Sequence, residues 1–175
     1  IEASTIGAQK LNEYLRRFFS NDKLRVEKIQ NGKYKLYRNG QIAKNLSAGE
    51  RNIISLVYFF TKLEESNFNF SKAVIFIDDP VSSLDANHMH AVYAFLNEKI
   101  KNANQVFITT HNFDFFNLLK DMYKYDLKKQ NGNFYLIKTM VNNQNRYSTI
   151  EKLPDILLKF KSEYNYLFYT LKQFN

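Results

Sequence analysis

The run Ala73-Val74-Ile75-Phe76-Ile77 sets five apolar residues in a row, mostly β-branched or aromatic, and stops abruptly at Asp78-Asp79-Pro80. Such a run suits a strand buried on both faces of a parallel sheet. A helical pattern from Ala86 to Ile100 follows, then a second strand from Gln105 to Thr110, then a helical pattern carrying Phe113, Phe116, Leu118, Leu119 and Met122. Strand and helix alternate, which argues for an α/β fold with a parallel sheet and flanking helices. Ligands of such sheets sit beyond the carboxyl ends of the strands. Both chemically loaded segments, Asp78 to Asp85 and His111, fall at those ends.

The flanking segments read differently. Ser4 to Phe19 carries Ile6, Leu11, Tyr14, Leu15 and Phe18 at helical spacing. Leu24–Ile29 and Tyr34–Arg38 are strand-like and separated by Asn31-Gly32, with Asn39-Gly40 at the next corner; these pairs favour tight turns, so a small antiparallel meander is expected. A long helix is predicted from Ala48 to about Glu65, carrying Ile53, Ile54, Leu56, Val57, Phe60 and Leu63. A further hairpin is expected around Asn131-Gly132, and Pro154 suits the first turn of a terminal helix. Leu153, Leu157, Phe160, Tyr164, Leu167, Leu171 and Phe174 fall at alternating spacings of four and three along it, the seam of three heptads. Two readings fit that seam: a core helix of its own domain, or a docking helix leading to a further segment.

At 175 residues, with 45% apolar, 24% charged and 16% aromatic residues, the chain can fill one core of ordinary size. With Cys at 0, disulfides and thiolate zinc sites are excluded. No run of about 18 apolar residues and no basic leader is visible, so no membrane partner and a cytoplasmic location are expected. The net charge of +8 permits attraction to nucleic acid or nucleotide phosphates without choosing between them. Lys99, Lys101, Lys128 and Lys129 are scattered along the chain, as expected of a solvated surface.

Three short motifs carry chemistry. Leu46-Ser47-Ala48-Gly49-Glu50 opens the long helix. It reads as a capping box of Ser47 and Glu50, or, with the same geometry, as a helix start whose free amides face a phosphate. Asp78-Asp79-Pro80, continuing Val81-Ser82-Ser83-Leu84-Asp85, places two repelling carboxylates at a strand mouth. A Mg²⁺ ion would offset them, as would a hydrogen-bonded polar turn. Thr110-His111-Asn112 ends the next strand in an imidazole, a cap or a donor to phosphate or water. His88 and His90 lie two apart on a helix and cannot share a metal.

In this order, Leu46–Glu50, Val74–Pro80, Ser82–Asp85 and His111 resemble the signature motif, Walker B strand, D-loop and H-loop of ABC-type ATPase heads. The resemblance implies one domain, the C-terminal part of such a head: residues 1–45 a helix and meander, 46–125 the core from signature helix to H-loop, and 126–175 a hairpin and terminal helix. It implies ATP and Mg²⁺ as cofactors, Asp78 as the metal ligand, Asp79 as general base and His111 as a sensor of the γ-phosphate. Ser47, Ala48, Gly49 and Glu50 would contact ATP bound to a second head in a head-to-head homodimer, and Asp85 would organise that interface. Ala48 stands where Gly is usual and Glu50 where Gln is common; Asp79 stands where Glu is usual, and its side chain, shorter by one methylene, implies slow turnover.

The Asp-Asp-Pro-Val-Ser-Ser-Leu-Asp string and the tail Ser162–Phe168 are most similar to the ATPase part of PrrC-type and RloC-type anticodon nucleases, with SMC-like DNA repair ATPases as distant relatives. That implies an RNase effector directed at tRNA in phage defence; a repair head acting on DNA is the alternative, and a non-catalytic interaction domain is a third. No Gly-x-x-x-x-Gly-Lys-Ser/Thr run is present: Gly32-Lys33 is followed by Tyr34. The Walker A lobe is therefore expected elsewhere, and the 175 residues alone are expected to be inactive.

Overall fold

A computed structural model describes residues 3–19, 24–29, 33–126, 132–142 and 145–173. The chain divides into two compact units, Ile1–Asn112 and Phe113–Asn175. No helix of the described residues is long and apolar enough to cross a membrane.

In the first unit α1 (Ala3–Phe19) presents Leu11, Leu15 and Phe18 on one buried stripe, the spacing of four and three that a helix face requires. It packs on the meander β1 (Leu24–Lys28), β2 (Tyr34–Arg38) and β3 (Gln41–Ile42), which is antiparallel throughout. Asn39 (φ 50°) and Gly40 (φ 79°) both take positive φ between the paired Arg38 and Gln41, the backbone of a two-residue hairpin turn. The Asn31-Gly32 corner lies outside the described residues. Asn12 clamps β1 to α1: its Nδ2 donates to the Val26 carbonyl at 2.9 Å, and the Val26 amide donates to its Oδ1 at 2.7 Å.

α2 runs from Ala48 to Glu65, within the bounds expected, because Ser47 and Glu50 form the reciprocal capping box. Its buried stripe of Ile53, Val57, Phe60 and Thr61 meets α1 and α3 (Ala86–Ile100) around one aromatic hub. Tyr14, Phe18 and Phe60 stand edge-on to Phe95 with ring centroids 5.2–5.5 Å apart. Beside the hub, Lys99 donates to Glu64 Oε1 at 2.7 Å and to the Tyr14 hydroxyl at 2.5 Å, while Lys10 reaches Glu64 at 3.4 Å. Lys99 is thus no solvated surface lysine: 9% of its side chain is exposed. Burial works to lower its pKa, but Glu64 and Tyr14 outweigh burial and raise it.

β4 (Val74–Asp78) and β5 (Gln105–Thr109), joined through α3, form a parallel pair in which Asp78 lies opposite Thr109. Only one face of β4 is covered. Ile75 and Ile77 are buried, whereas Val74 and Phe76 are 51% and 74% exposed, and Phe76 stacks on Phe107 at 4.6 Å across the open face. The expectation of burial on both faces is corrected here: a continuous apolar run does not report how many layers cover it in a given chain.

The second unit begins with α4 (Phe113–Asp121), which continues into a π-helical turn at Met122–Asp126. β6 (Tyr135–Asn142) and β7 (Asn145–Lys152) then form a hairpin whose last pair is Asn142 with Asn145. The turn expected around Asn131-Gly132 precedes this pair of strands, and its Asn131 lies outside the described residues. The terminal helix expected from the heptads is two helices, α5 (Asp155–Lys159) and α6 (Glu163–Lys172). Ser162 restarts the chain by accepting from the Asn165 amide at 3.4 Å. Lys120 holds the break, donating to the carbonyls of Leu157, Leu158 and Phe160 at 3.0–3.3 Å. The seam divides accordingly: Leu153 and Leu157 are buried, Tyr164, Leu167 and Leu171 are exposed, and Phe174 is outside the described residues.

Candidate functional site

The carboxyl ends of β4 and β5 bring the two acids and the imidazole of the first unit into one cluster. The ladder runs one step past Asp78, since the Asp79 amide donates to the Thr109 carbonyl at 2.9 Å. Asp79 sits at φ 43°, in the left-handed region that costs a non-glycine residue roughly 1 kcal/mol or more. That conformation turns its carboxylate toward the chain leaving β5. His111 Nδ1 lies 2.7 Å from Asp79 Oδ2, and Thr110 Oγ1 donates to Asp79 Oδ1 at 3.2 Å. The side chain of Asp79 is largely covered while that of His111 is 78% exposed, so the imidazole is the outer member of the pair.

Asp78 occupies the open face of the parallel pair, where its Oδ1 accepts from the Thr109 hydroxyl. Among the described residues it takes part in no ion pair, so its second oxygen and its charge are available to an incoming cation. No group of three or more His, Cys, Asp or Glu among the described residues could hold a metal by itself. One carboxylate beside a hydroxyl fits Mg²⁺ delivered with phosphates and water better than it fits a resident structural metal.

The signature-like residues form a second cluster. Ser47 Oγ accepts from the Glu50 amide at 3.1 Å and Glu50 Oε2 accepts from the Ser47 amide at 2.9 Å. Arg38 Nη2 meets Glu50 Oε1 at 2.6 Å. Burial pushes the Glu50 pKa up, but the Ser47 amide and the Arg38 guanidinium outweigh it and hold it below the usual range. Ala48 is exposed in the first turn, and the capping of its helix consumes one of the amides that a phosphate could use.

Gly49 is buried beneath the segment that follows Pro80. A Cβ there would come within 2.8 Å of both the Ser83 carbonyl oxygen and Leu84 Cδ2, so only glycine lets the helix start approach this loop. Asn52 Nδ2 donates to the Ser82 carbonyl at 2.8 Å from the next turn of the same helix. Ser83, at φ 63°, makes the sharp bend. Asp85 closes the loop as the cap of α3: its Oδ1 accepts from the His88 amide at 2.9 Å and its Oδ2 meets His88 Nδ1 at 2.8 Å. Its pKa is lowered first by the His88 amide and then by the His88 ring.

The structure therefore joins Asp78, Asp79 and His111 at one strand mouth, and joins Ser47, Gly49 and Glu50 to the loop that Asp85 ends. The loop joins the two through its backbone: the Ser82 amide donates to the Asp79 carbonyl at 3.2 Å, while the Ser82 carbonyl accepts from Asn52 on α2. Sequence reading missed Thr109 and Thr110, whose hydroxyls answer the two acids one for one. The signal was available only once the strands are set in parallel register, because the partners lie 31 residues apart.

The AAA domain family model matches residues 1–175. The chain is 28% identical over 124 residues to the uncharacterized chromosomal cassette SCCmec type IVc protein CR006 of Staphylococcus aureus (strain MRSA252), a match over 67% of this chain. It spans 16% of that protein's length. Among solved structures, one described by ATP-driven dimerization and DNA-stimulated activation of SMC ATPases superposes with a TM-score of 0.53 and 14% identity, covering 91% of this chain and 94% of that one. The SMC head domain from Thermotoga maritima gives 0.47 and 19% identity, over 84% of this chain and 47% of that one. At 14% identity the first of these matches speaks for a shared fold, that of P-loop ATPase heads.

Proposed function

The chain belongs to the AAA domain family, and from that premise we propose that it is the C-terminal part of an SMC-like ATPase head whose strand mouth at Asp78, Asp79 and His111 serves ATP hydrolysis. The observation that carries this reading is the cluster itself. Two adjacent acids at the end of one parallel strand are held apart in role, one facing an open surface beside a hydroxyl, the other paired with an imidazole at 2.7 Å.

In this reading Asp78 holds Mg²⁺ that arrives with the nucleotide; the ion, when bound, neutralises phosphate oxygens. Asp79 accepts the proton of the attacking water through an oxygen fixed by Thr110, and His111 Nδ1 stabilises the carboxylate while its exposed ring meets the γ-phosphate. In the same reading Ser47, Ala48, Gly49 and Glu50 serve the nucleotide of a second head, and Asp85 shapes the loop that runs from the acids to them. A head-to-head homodimer is the assembly that goes with this reading, and the ATP-driven dimerization named for the SMC ATPase structure supports it.

The SMC-like reading has the support of the fold match, and DNA is then the natural class of stimulating ligand. An RNase effector directed at tRNA rests on the resemblance of the Asp78–Asp85 string and the Ser162–Phe168 tail alone, and the relatives add nothing to it.

The test is Asp79→Asn in the full-length protein. Steady-state ATP hydrolysis is expected to fall by about 10²–10⁴-fold, the range of a lost general base. Hydrolysis within threefold of the parent protein would overturn the reading. On the 175 residues alone, which carry no P-loop cradle, calorimetric titration with ATP and Mg²⁺ is expected to give no micromolar binding.

A further inference from the structure

Two consecutive threonines at and just past the end of β5 face two consecutive aspartates at and just past the end of β4. Parallel pairing sets Thr109 opposite Asp78, and its hydroxyl donates to Asp78 Oδ1. The chain then leaves the strand, and Thr110 donates to Asp79 Oδ1 at 3.2 Å. The Thr110 hydroxyl also accepts from the Asn112 amide at 3.1 Å. A threonine hydroxyl has one proton, so an oxygen that receives a backbone N–H on one side has its own O–H left to direct elsewhere. Here it is aimed at Asp79. With His111 on Oδ2 and Thr110 on Oδ1, both oxygens of Asp79 are engaged, which the left-handed backbone at φ 43° alone would not achieve.

We propose that Thr109 and Thr110 are positioning residues with separate duties: Thr109 orients the Asp78 carboxylate for metal, and Thr110 orients the Asp79 carboxylate for proton transfer. The proposal rests on the reading of the two acids given above and adds a division of labour that the acids do not themselves reveal. Thr109 lies on the exposed face, where its hydrogen bond competes with water and contributes little to folding. Its worth is in holding one oxygen of Asp78 so that the other is presented to a cation in a single rotamer. Thr110 is partly buried and pinned by the Asn112 amide, so it fixes a carboxylate whose reach is one methylene shorter than that of a glutamate. A short base tolerates misalignment poorly, because a displacement on the order of 1 Å at the reacting atom costs about 10²-fold in rate.

The experiment compares Thr109→Val, Thr109→Ser, Thr110→Val and Thr110→Ser in the full-length protein, beside Asp78→Asn and Asp79→Asn. Thr110→Val is expected to lower kcat by about 10-fold or more with the KM for ATP unchanged, and Thr110→Ser to restore it. Thr109→Val is expected to raise the Mg²⁺ concentration for half-maximal rate by about 10-fold, with the loss recovered at high Mg²⁺ and Thr109→Ser restoring it. Two readouts do not depend on turnover. Mn²⁺ titration of the nucleotide-bound protein by electron paramagnetic resonance should weaken in Thr109→Val alone. The ring ¹⁵N signals of His111 should shift in Thr110→Val alone, since the carboxylate they report on has lost its second anchor. If both valine variants match the parent in all four measurements while the two asparagine variants lose hydrolysis, the assignment of the threonines falls and the reading of the acids stands. If the asparagine variants keep hydrolysis, the reading falls and the assignment goes with it.

Discussion

The two units of the chain spend their apolar residues in opposite ways. Unit Ile1–Asn112 buries Leu11, Leu15, Ile53, Val57, Phe60, Val92 and Leu96 almost completely around Phe95, and ties the same three helices with the Lys99–Glu64–Tyr14 network. Unit Phe113–Asn175 buries Phe115, Met122, Leu153 and Leu157, and turns Tyr135, Ile137, Val141, Ile150, Tyr164, Leu167 and Leu171 outward. Apolar side chains thus fill a core in the first unit, which keeps an open face at Val74, Phe76 and Phe107, and stand mostly outward in the second. The lesson is that apolar content predicts that something will be covered, not that the chain covers it alone. The acids and the imidazole belong to the unit with the closed core, as expected of a site that must hold its geometry.

The largest effect that could break this contrast is at the hub. Phe95→Ala removes the ring against which Tyr14, Phe18 and Phe60 all pack, and should cost about 3–5 kcal/mol in stability. Chemical denaturation followed by tyrosine fluorescence would measure it. A loss below about 1 kcal/mol would show that the hub relaxes around the cavity and that the first unit is less closed than its burial implies.

How far the sequence reveals this contrast depends on the length scale of each signal. α2 was legible to the residue because its start is written in a local code, Ser47 and Glu50 three apart, with both hydrogen bonds formed. The Asn39-Gly40 turn was legible for the same reason. β4 was found but its surroundings were not, since the alternation that distinguishes a half-covered strand is hidden when both faces carry Val, Ile and Phe. The heptad seam misled in a related way: its apolar spacing is real, but Ser162 offers a competing cap and Lys120, more than thirty residues upstream, takes the carbonyls that a continuous helix would have used. At the site, the acids and His111 were legible as motif letters, whereas Thr109 and Thr110 acquire meaning only through the register of β4 with β5.

A smaller effect sharpens the contrast through pH. Burial pushes the Glu64 pKa up, but the Lys99 ammonium and the Tyr14 hydroxyl outweigh it, and the folded value lies below the ordinary 4.5. A carboxylate depressed on folding contributes stability that is present above its unfolded pKa and is lost as pH falls through the folded one. The first unit should therefore weaken between about pH 5 and the acid end of the titration, and the loss should be smaller in Glu64→Gln. Urea midpoints at pH 7 and pH 3 for the two proteins would show it. Parallel lines, with the variant losing as much as the parent, would mean that the network does not hold the helices together.

The smallest effect is expected on the open side. Tyr164, Leu167, Phe168 and Leu171 recur at helical spacing on α6, all at least half exposed or close to it, with Tyr164 stacked on Phe168 at a centroid distance of 6.1 Å. A side chain that folding does not remove from water contributes little to folding, so Leu171→Ser should change stability by no more than about 0.5 kcal/mol. The value is informative because it is the counterpart of Phe95→Ala in the same assay on the same chain. A loss on the order of 1.5 kcal/mol, the lower range for an apolar side chain buried in full, would mean that the α6 face is covered in solution and that the two units differ less than their exposures say.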